Sequence, residues 1–170
     1  MKKLLIMDAH NYHKGLQEIK RVSVRGIIFI DGKLLMIEDV FGEVKLPGGG
    51  AEPGEDDNRT LIREVKEETG YDVIPESVIP FGEIEEKRLS SHEPMIWHQT
   101  NRLYFCEVSS AQGACEYSES EKKYGFHEVL YTLEEAIEKN EKMISHEGTQ
   151  AWNQREYNTL LLIKKHFQGK

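Results

Sequence analysis

The chain has 170 residues, 38% hydrophobic and 31% charged, with apolar clusters along its whole length, which excludes a disordered tail, a fibre and two full-sized domains. Its 30 acidic and 22 basic side chains leave a net charge of -8, which argues against broad attraction to nucleic acid or an anionic membrane. Cys106 and Cys115 stand far from any CxxC spacing, so neither a disulfide framework nor a cysteine-rich zinc site is indicated.

The apolar run of residues 1–8 stops at Asp8, too short for a signal peptide core, and reads as a short strand. Val22, Val24, Ile28 and Ile30 share one alternation, and Asp31-Gly32 separates them from Leu34 to Ile37. That pattern predicts a hairpin, because Asp-Gly suits a tight primed turn. Residues 39–56, rich in Gly, Pro and acid, are expected to be loop. Leu61, Ile62 and Val65 form an apolar stripe, with Gly70 placed to stop it, and predict a helix over 57–69. Extended segments follow around 72–88 and 95–108, then a polar stretch to 125 and a strand near 126–131. Thr132 and Glu135 match a capping box opening a helix, and Leu160, Leu161, Ile163 and Phe167 mark a buried face on a last helix over about 150–167. Three helices among these strands imply an α/β sandwich, one domain over 1–170, in which helices cover a curved mixed sheet. No run is long enough to span a bilayer, and the expected compartment is the cytoplasm.

The chemistry concentrates between Leu46 and Tyr71. Glu64, Glu67 and Glu68 stand at i, i+3 and i+4, so the three carboxylates share one helix face, and mutual repulsion costs only about 0.2 to 0.5 kcal/mol per exposed pair. On that reading, Glu68→Gln should leave the metal-free protein as stable as before or slightly more so, because repulsion is relieved. The glycines Gly48 to Gly50 ahead of the helix let backbone approach an ion or ligand closely. Loop carbonyls and helical carboxylates are hard oxygen ligands, suited to magnesium or manganese and through them to a diphosphate. A nucleotide-binding P-loop is excluded, since Glu55 follows Gly54 where Lys-Ser or Lys-Thr is required.

Residues 49–71 resemble the Nudix box, G-x5-E-x7-R-E-U-x-E-E-x-G-U with U bulky and apolar. Gly49, Glu55, Arg63, Glu64, Glu67, Glu68 and Gly70 occupy its fixed positions, Val65 and Tyr71 the U positions. The resemblance implies a Nudix-like α/β/α sandwich and a metal-dependent pyrophosphohydrolase that cleaves a nucleoside diphosphate linked to another group X. It implies magnesium or manganese held by Glu64, Glu67 and Glu68 with the Gly48 carbonyl as a further ligand, and Arg63 orienting the glutamates with Glu55 as its partner. The family's general base varies in position, and Glu116, Glu119 and Glu121 are the loop candidates. Arg88, Trp97 and His98 lie on extended segments expected to border a substrate pocket.

Two other functions share this fold. An isopentenyl diphosphate isomerase needs a cysteine upstream of the box, and both cysteines here follow it. A non-catalytic nucleotide sensor often loses box glutamates, and all are present. The proline typical of ADP-ribose hydrolases is absent from the stretch Glu85-Glu86-Lys87-Arg88, which leaves a nucleoside or deoxynucleoside triphosphate as the default by elimination. The expected partner is a nucleotide or other diphosphate-containing small molecule, with neither nucleic acid nor membrane, and a homodimer is left open.

Overall fold

A computed structural model describes residues 1–91, 93–144, 146 and 152–169. In chain order the strands are β1 (Lys3–Asp8), β2 (Glu18–Ile27), β3 (Phe29–Ile30), β4 (Lys33–Glu38), β5 (Val44–Lys45), β6 (Gly48–Gly50), β7 (Tyr71–Val73), β8 (Ile79–Leu89), β9 (Ile96–Phe105), β10 (Val108–Gln112) and β11 (His127–Tyr131). The helices are α1 (Asp57–Thr69), the five-residue α2 (Glu119–Lys123), α3 (Leu133–Met143) and α4 (Asn153–Gln168). The main sheet runs β1-β8-β9-β2-β6, with β1 parallel to β8 and β2 parallel to β9, the other neighbours being antiparallel. A second sheet carries β11-β4-β3, with β5 also on β4, and β7 pairs β10.

Strand alternation sorts the apolar residues into two cores. Leu34 and Met36 of β4, Ile27 of β2 and Leu103 of β9 face α3 and α4, meeting Ala136, Ile137, Leu160 and Ile163. Leu35, Val24, Ile28 and Tyr104 face the other way and meet Leu61 and Val65 of α1. Helices therefore cover both sides, and all four residues from Leu34 to Ile37 are buried. The architecture is the expected α/β one, a mixed sheet between helices. Among the described residues no helix is long and apolar enough to cross a membrane.

Local chemistry sets most boundaries. The hairpin forms between β3 and β4, with Asp31 (φ 49°) and Gly32 (φ 78°) in its turn. Asp56 caps α1 by accepting from the Arg59 N–H, and Gly70 ends it in the left-handed conformation. Both halves of the Thr132–Glu135 capping box are made.

Three expectations need correction. The segment 39–56 is not all loop: β5 pairs β4, and the glycines of β6 pair Ser23 to Arg25 of β2, partners that local sequence does not reveal. The polar stretch 109–125 contains the end of β10 and a helix, α2, capped by a Ser118–Glu121 box. On α4, Leu160 and Ile163 are buried, but Leu161 and Phe167 are exposed, because the buried face is completed instead by Asn153, Arg155, Glu156 and Thr159. Residues 150 and 151, where that last helix was expected to begin, lie outside the described residues.

Val65 is fully buried in the core beneath α1, so Val65→Ala should cost about 1 to 3 kcal/mol. Urea unfolding of the two proteins measures the difference.

Candidate active site

The site begins with Arg63 on the second turn of α1. Its Nε and Nη2 donate to the two oxygens of Glu55 at 2.8 and 2.9 Å, a two-point ion pair across the loop that precedes the helix. Its Nη1 donates to Glu64 at 2.8 Å and to Glu67 at 3.2 Å, and Nη2 also reaches the Gly50 carbonyl at 3.1 Å. One guanidinium thus joins two helical carboxylates, the loop acid and the glycine strand.

Glu68 is placed differently. It is 2% exposed, accepts from Lys45 Nζ at 2.7 Å with one oxygen and from the Gly48 N–H at 2.7 Å with the other. Lys45, on β5, is itself buried and lies 4.4 Å from the Phe126 ring centre. The three carboxylates are therefore not a freely solvated face. Burial, opposed by the Arg63 hydrogen bond and reinforced by repulsion from Glu68, raises the pKa of Glu64 above the ordinary carboxylate range.

The three glycines of β6 are each hemmed in by a different neighbour. Gly48 has φ 132°, and a Cβ there would fall 2.1 Å from the Val24 carbonyl oxygen. At Gly49 a Cβ would fall 2.1 Å from the Glu64 carboxylate, and at Gly50 2.6 Å from the Arg21 guanidinium. Backbone, carboxylate and guanidinium thus close on the strand from three directions.

The donor set fits a hard divalent cation in kind, being carboxylate and carbonyl oxygen. Glu64 and Glu67 come together at Arg63 Nη1, and Glu64 packs directly on the Gly49 backbone. Among the described residues no three His, Cys, Asp or Glu side chains converge on one point, since Glu68 is turned to Lys45. The Gly48 carbonyl accepts from Arg25 Nη1, which also reaches the Leu46 carbonyl at 3.0 Å.

Beside this helix lies a cavity of about 590 Å3 lined by Arg21, Arg25, Lys45, Arg88, Trp97 and Glu121, among others. Its floor is one face of the main sheet, which is apolar at one end and polar at the other. Ile27, Ile84 and Leu103 enter the core. Farther along the same strands Trp97 Nε1 donates to Gln99, Gln99 donates to Ser23 and Asn101, and the Ser23 hydroxyl donates to Asn101. The guanidinium carbons of Arg21 and Arg88 lie 5.8 and 6.0 Å from the Trp97 ring centre. Burial and the nearby Arg25 charge lower the pKa of Arg21, a crowding of cations that suits an anionic ligand.

The structure brings Arg88 and Trp97 to this cavity, but not His98. Its neighbour position on β9 sends His98 to the opposite face, where its ring nitrogens meet Glu18 at 2.6 Å and Glu85 at 2.7 Å. Of the loop acids, Glu121 lines the cavity; burial resists its ionisation, but the Ser118 hydroxyl and N–H and the Lys45 charge outweigh it and lower the pKa. Glu119 is exposed and pairs Lys122, and Glu116 is exposed, its N–H bonded to the Glu67 carbonyl.

Sequence reasoning missed several cavity residues: Arg21, Arg25, Lys45, Asp39, Arg155 and Trp152. For two there was a signal, since Arg21, Ser23 and Arg25 hold the alternate positions of a strand whose other face is apolar. Asp39 is buried, its Oδ1 accepting from the Phe41 and Glu43 N–H groups while Oδ2 has no partner among the described residues. Arg155 reaches over from α4 to Glu86 at 2.6 Å, and its neighbour Glu156 accepts from the Leu46 N–H at 3.1 Å.

Two outcomes follow for stability. Glu68→Gln leaves the Lys45 ammonium buried without its counter-charge, so the metal-free variant should be less stable by about 3 kcal/mol in urea unfolding, contrary to the view of Glu68 as one of three repelling surface acids. Arg63 and the Glu52 N–H lower the Glu55 pKa from 4.5 to about 2. A depressed folded pKa gives stability that is present above the unfolded value and lost as pH falls from about 4.5 towards about 2. Glu55→Gln should flatten that part of the stability profile, measured by thermal unfolding across the same range.

The chain matches the NUDIX domain over residues 20–153. It is 29% identical over 110 residues to the "Putative ADP-ribose pyrophosphatase YjhB" of Bacillus subtilis (strain 168), an overlap of 64% of this chain and 51% of that protein. The chain thus spans about half the length of this curated relative. Among solved structures, a NUDIX hydrolase from Nitrosomonas europaea superposes with TM-score 0.56 at 19% identity, covering 83% of this chain and 90% of the other. The crystal structure of an ADP compounds hydrolase gives TM-score 0.58 at 18% identity, over 88% and 74%. These two likenesses show the fold, and together with a match that spans most of the sequence and includes the Arg63-centred acidic helix they establish that the chain belongs to the NUDIX family.

Proposed function

We propose that this protein is a metal-dependent pyrophosphohydrolase that cleaves a nucleoside diphosphate linked to a group X. The single observation that carries the reading is the adjacency of two unlike sites: the α1 carboxylates, Glu64 and Glu67 gathered by Arg63 and Glu68 beside them, and a cation-lined cavity holding Trp97, the two meeting at Lys45, which pairs Glu68 and lines the cavity. Members of the family generally use a divalent metal, and here magnesium or manganese would be held by Glu64, Glu67 and Glu68. Such an ion neutralises diphosphate oxygens and makes water nucleophilic at neutral pH.

The chain's own residues supply the rest. Arg63 fixes the Glu64 and Glu67 carboxylates, so their orientation needs little adjustment when substrate arrives. Arg21, Arg25 and Lys45 place positive charge along the side of the cavity nearest the glycine strand, where phosphate oxygens would lie. Trp97 offers a stacking face for a base. Glu121, held by Ser118 at the cavity edge, is the proposed proton acceptor for the attacking water.

For X, the name of the Bacillus subtilis relative favours ADP-ribose, while the several cations of the cavity also suit a nucleoside triphosphate, whose X is phosphate. Incubation of both substrates with magnesium in oxygen-18 water decides the reaction. Cleavage with the label in one phosphate product is the expected result, and binding without any product would favour a nucleotide sensor. Excess chelator should abolish turnover. Glu64→Gln should lower turnover by about two orders of magnitude or more, and Trp97→Ala should raise KM about tenfold with a smaller effect on kcat. Unchanged kinetics in both variants would remove the assignment.

A further inference from the structure

Lys45 is an unusual neighbour for a carboxylate expected to hold a divalent ion. It lies on β5, two residues before Pro47, and gives its ammonium to Glu68 at 2.7 Å, with both side chains at least nine-tenths buried. The same ammonium lies 4.4 Å from the Phe126 ring centre and lines the cavity. The second Glu68 oxygen is taken by the Gly48 N–H. Every strong contact of this carboxylate in the structure is thus with protein. Arg63 is fixed by its two-point pair to Glu55, whereas Lys45 makes a single ion pair, to Glu68, with the Glu121 charge nearby, and has a flexible stem beside open space.

We propose that Lys45 is a built-in competitor for the metal, its ammonium occupying Glu68 until a divalent ion displaces it into the cavity, where it binds a phosphate oxygen of the substrate. This rests on the reading of Glu68 as a metal ligand. Two consequences are opposite in sign and belong to one residue. Lys45 weakens binding of metal alone, because the ion must displace a charge-assisted hydrogen bond in a dry site. It strengthens binding of metal and nucleotide together, because the freed ammonium finds a new anionic partner; each ligand therefore raises the affinity for the other. The device keeps Glu68 neutralised when no ion is bound, and it favours loading of the ion and the diphosphate as a pair.

The test uses metal-free protein and manganese, followed by the electron paramagnetic resonance of the unbound ion, with and without a non-hydrolysable nucleoside diphosphate analogue. Lys45→Gln removes the charge while keeping a hydrogen-bond donor for Glu68, and Lys45→Arg keeps the charge. Each protein is measured under the same conditions of pH and ionic strength. With manganese alone, Lys45→Gln should bind about tenfold more tightly than the parent, and Lys45→Arg should stay close to the parent. The tightening produced by the analogue should shrink about tenfold in Lys45→Gln. Thermal unfolding should agree: manganese alone should raise the melting temperature of Lys45→Gln more than that of the parent. Equal or weaker manganese binding by a folded Lys45→Gln protein overturns the proposal and leaves the hydrolase reading intact. A parent protein that binds no manganese at millimolar concentration overturns both.

Discussion

One guanidinium sets the geometry on which the rest depends. Arg63 spans Glu55, Glu64, Glu67 and the Gly50 carbonyl, and a planar fork can do this where an ammonium cannot, because its N–H vectors are fixed relative to one another. Without the fork the carboxylates would repel one another into solvent; with it they stay close at small cost, since each negative charge shares a common positive one. Glu68, which the fork does not reach, is supplied with a separate cation from β5.

The second constraint is a change of polarity along a single sheet face. The strands β2, β8 and β9 present Ile27, Ile84 and Leu103 to the helices α3 and α4, and then Arg25, Gln99, Trp97 and Arg88 to the cavity. The same hydrogen-bonded ladder therefore serves as the floor of the core and the floor of the cavity. A buried row of polar groups is tolerable only if its members satisfy one another, and the chain from Trp97 through Gln99 to Ser23 and Asn101 does so for most of its atoms.

What could be read beforehand divides along the same lines. Helix α1 was legible because its stripe and its stop are both local, and the box residues come with it. The Asp31-Gly32 turn and the Thr132 cap were legible for the same reason. The strand status of Gly48 to Gly50 was not, since glycines carry no strand propensity and the pairing comes from β2 more than twenty residues earlier in sequence. His98 and Trp97 were expected on the same side although neighbouring strand residues face opposite ways, and the alternation alone separates them. Ser118 and Glu121 repeat the pattern of Thr132 and Glu135 and announced α2 equally well. Arg155 and Glu156 resisted any local reading: charged residues on a helix suggest an outward face, and their burial depends on Glu86 and Leu46, both distant in sequence.

The three glycines of β6 bear on how freely the gene can vary. At position 48 any allele with a side chain meets backbone, which cannot step aside, so such alleles are lost to misfolding. At 49 the obstacle is a carboxylate on a helix, so an alanine allele trades the acidic site for its own accommodation and survives as a folded but altered protein. At 50 the obstacle is the far end of a mobile arginine. Drift is therefore cheapest at the third glycine, and a substitution there moves Arg21 rather than the chain, so that this one codon can reshape the ligand cavity while the fold and the acidic helix are inherited intact.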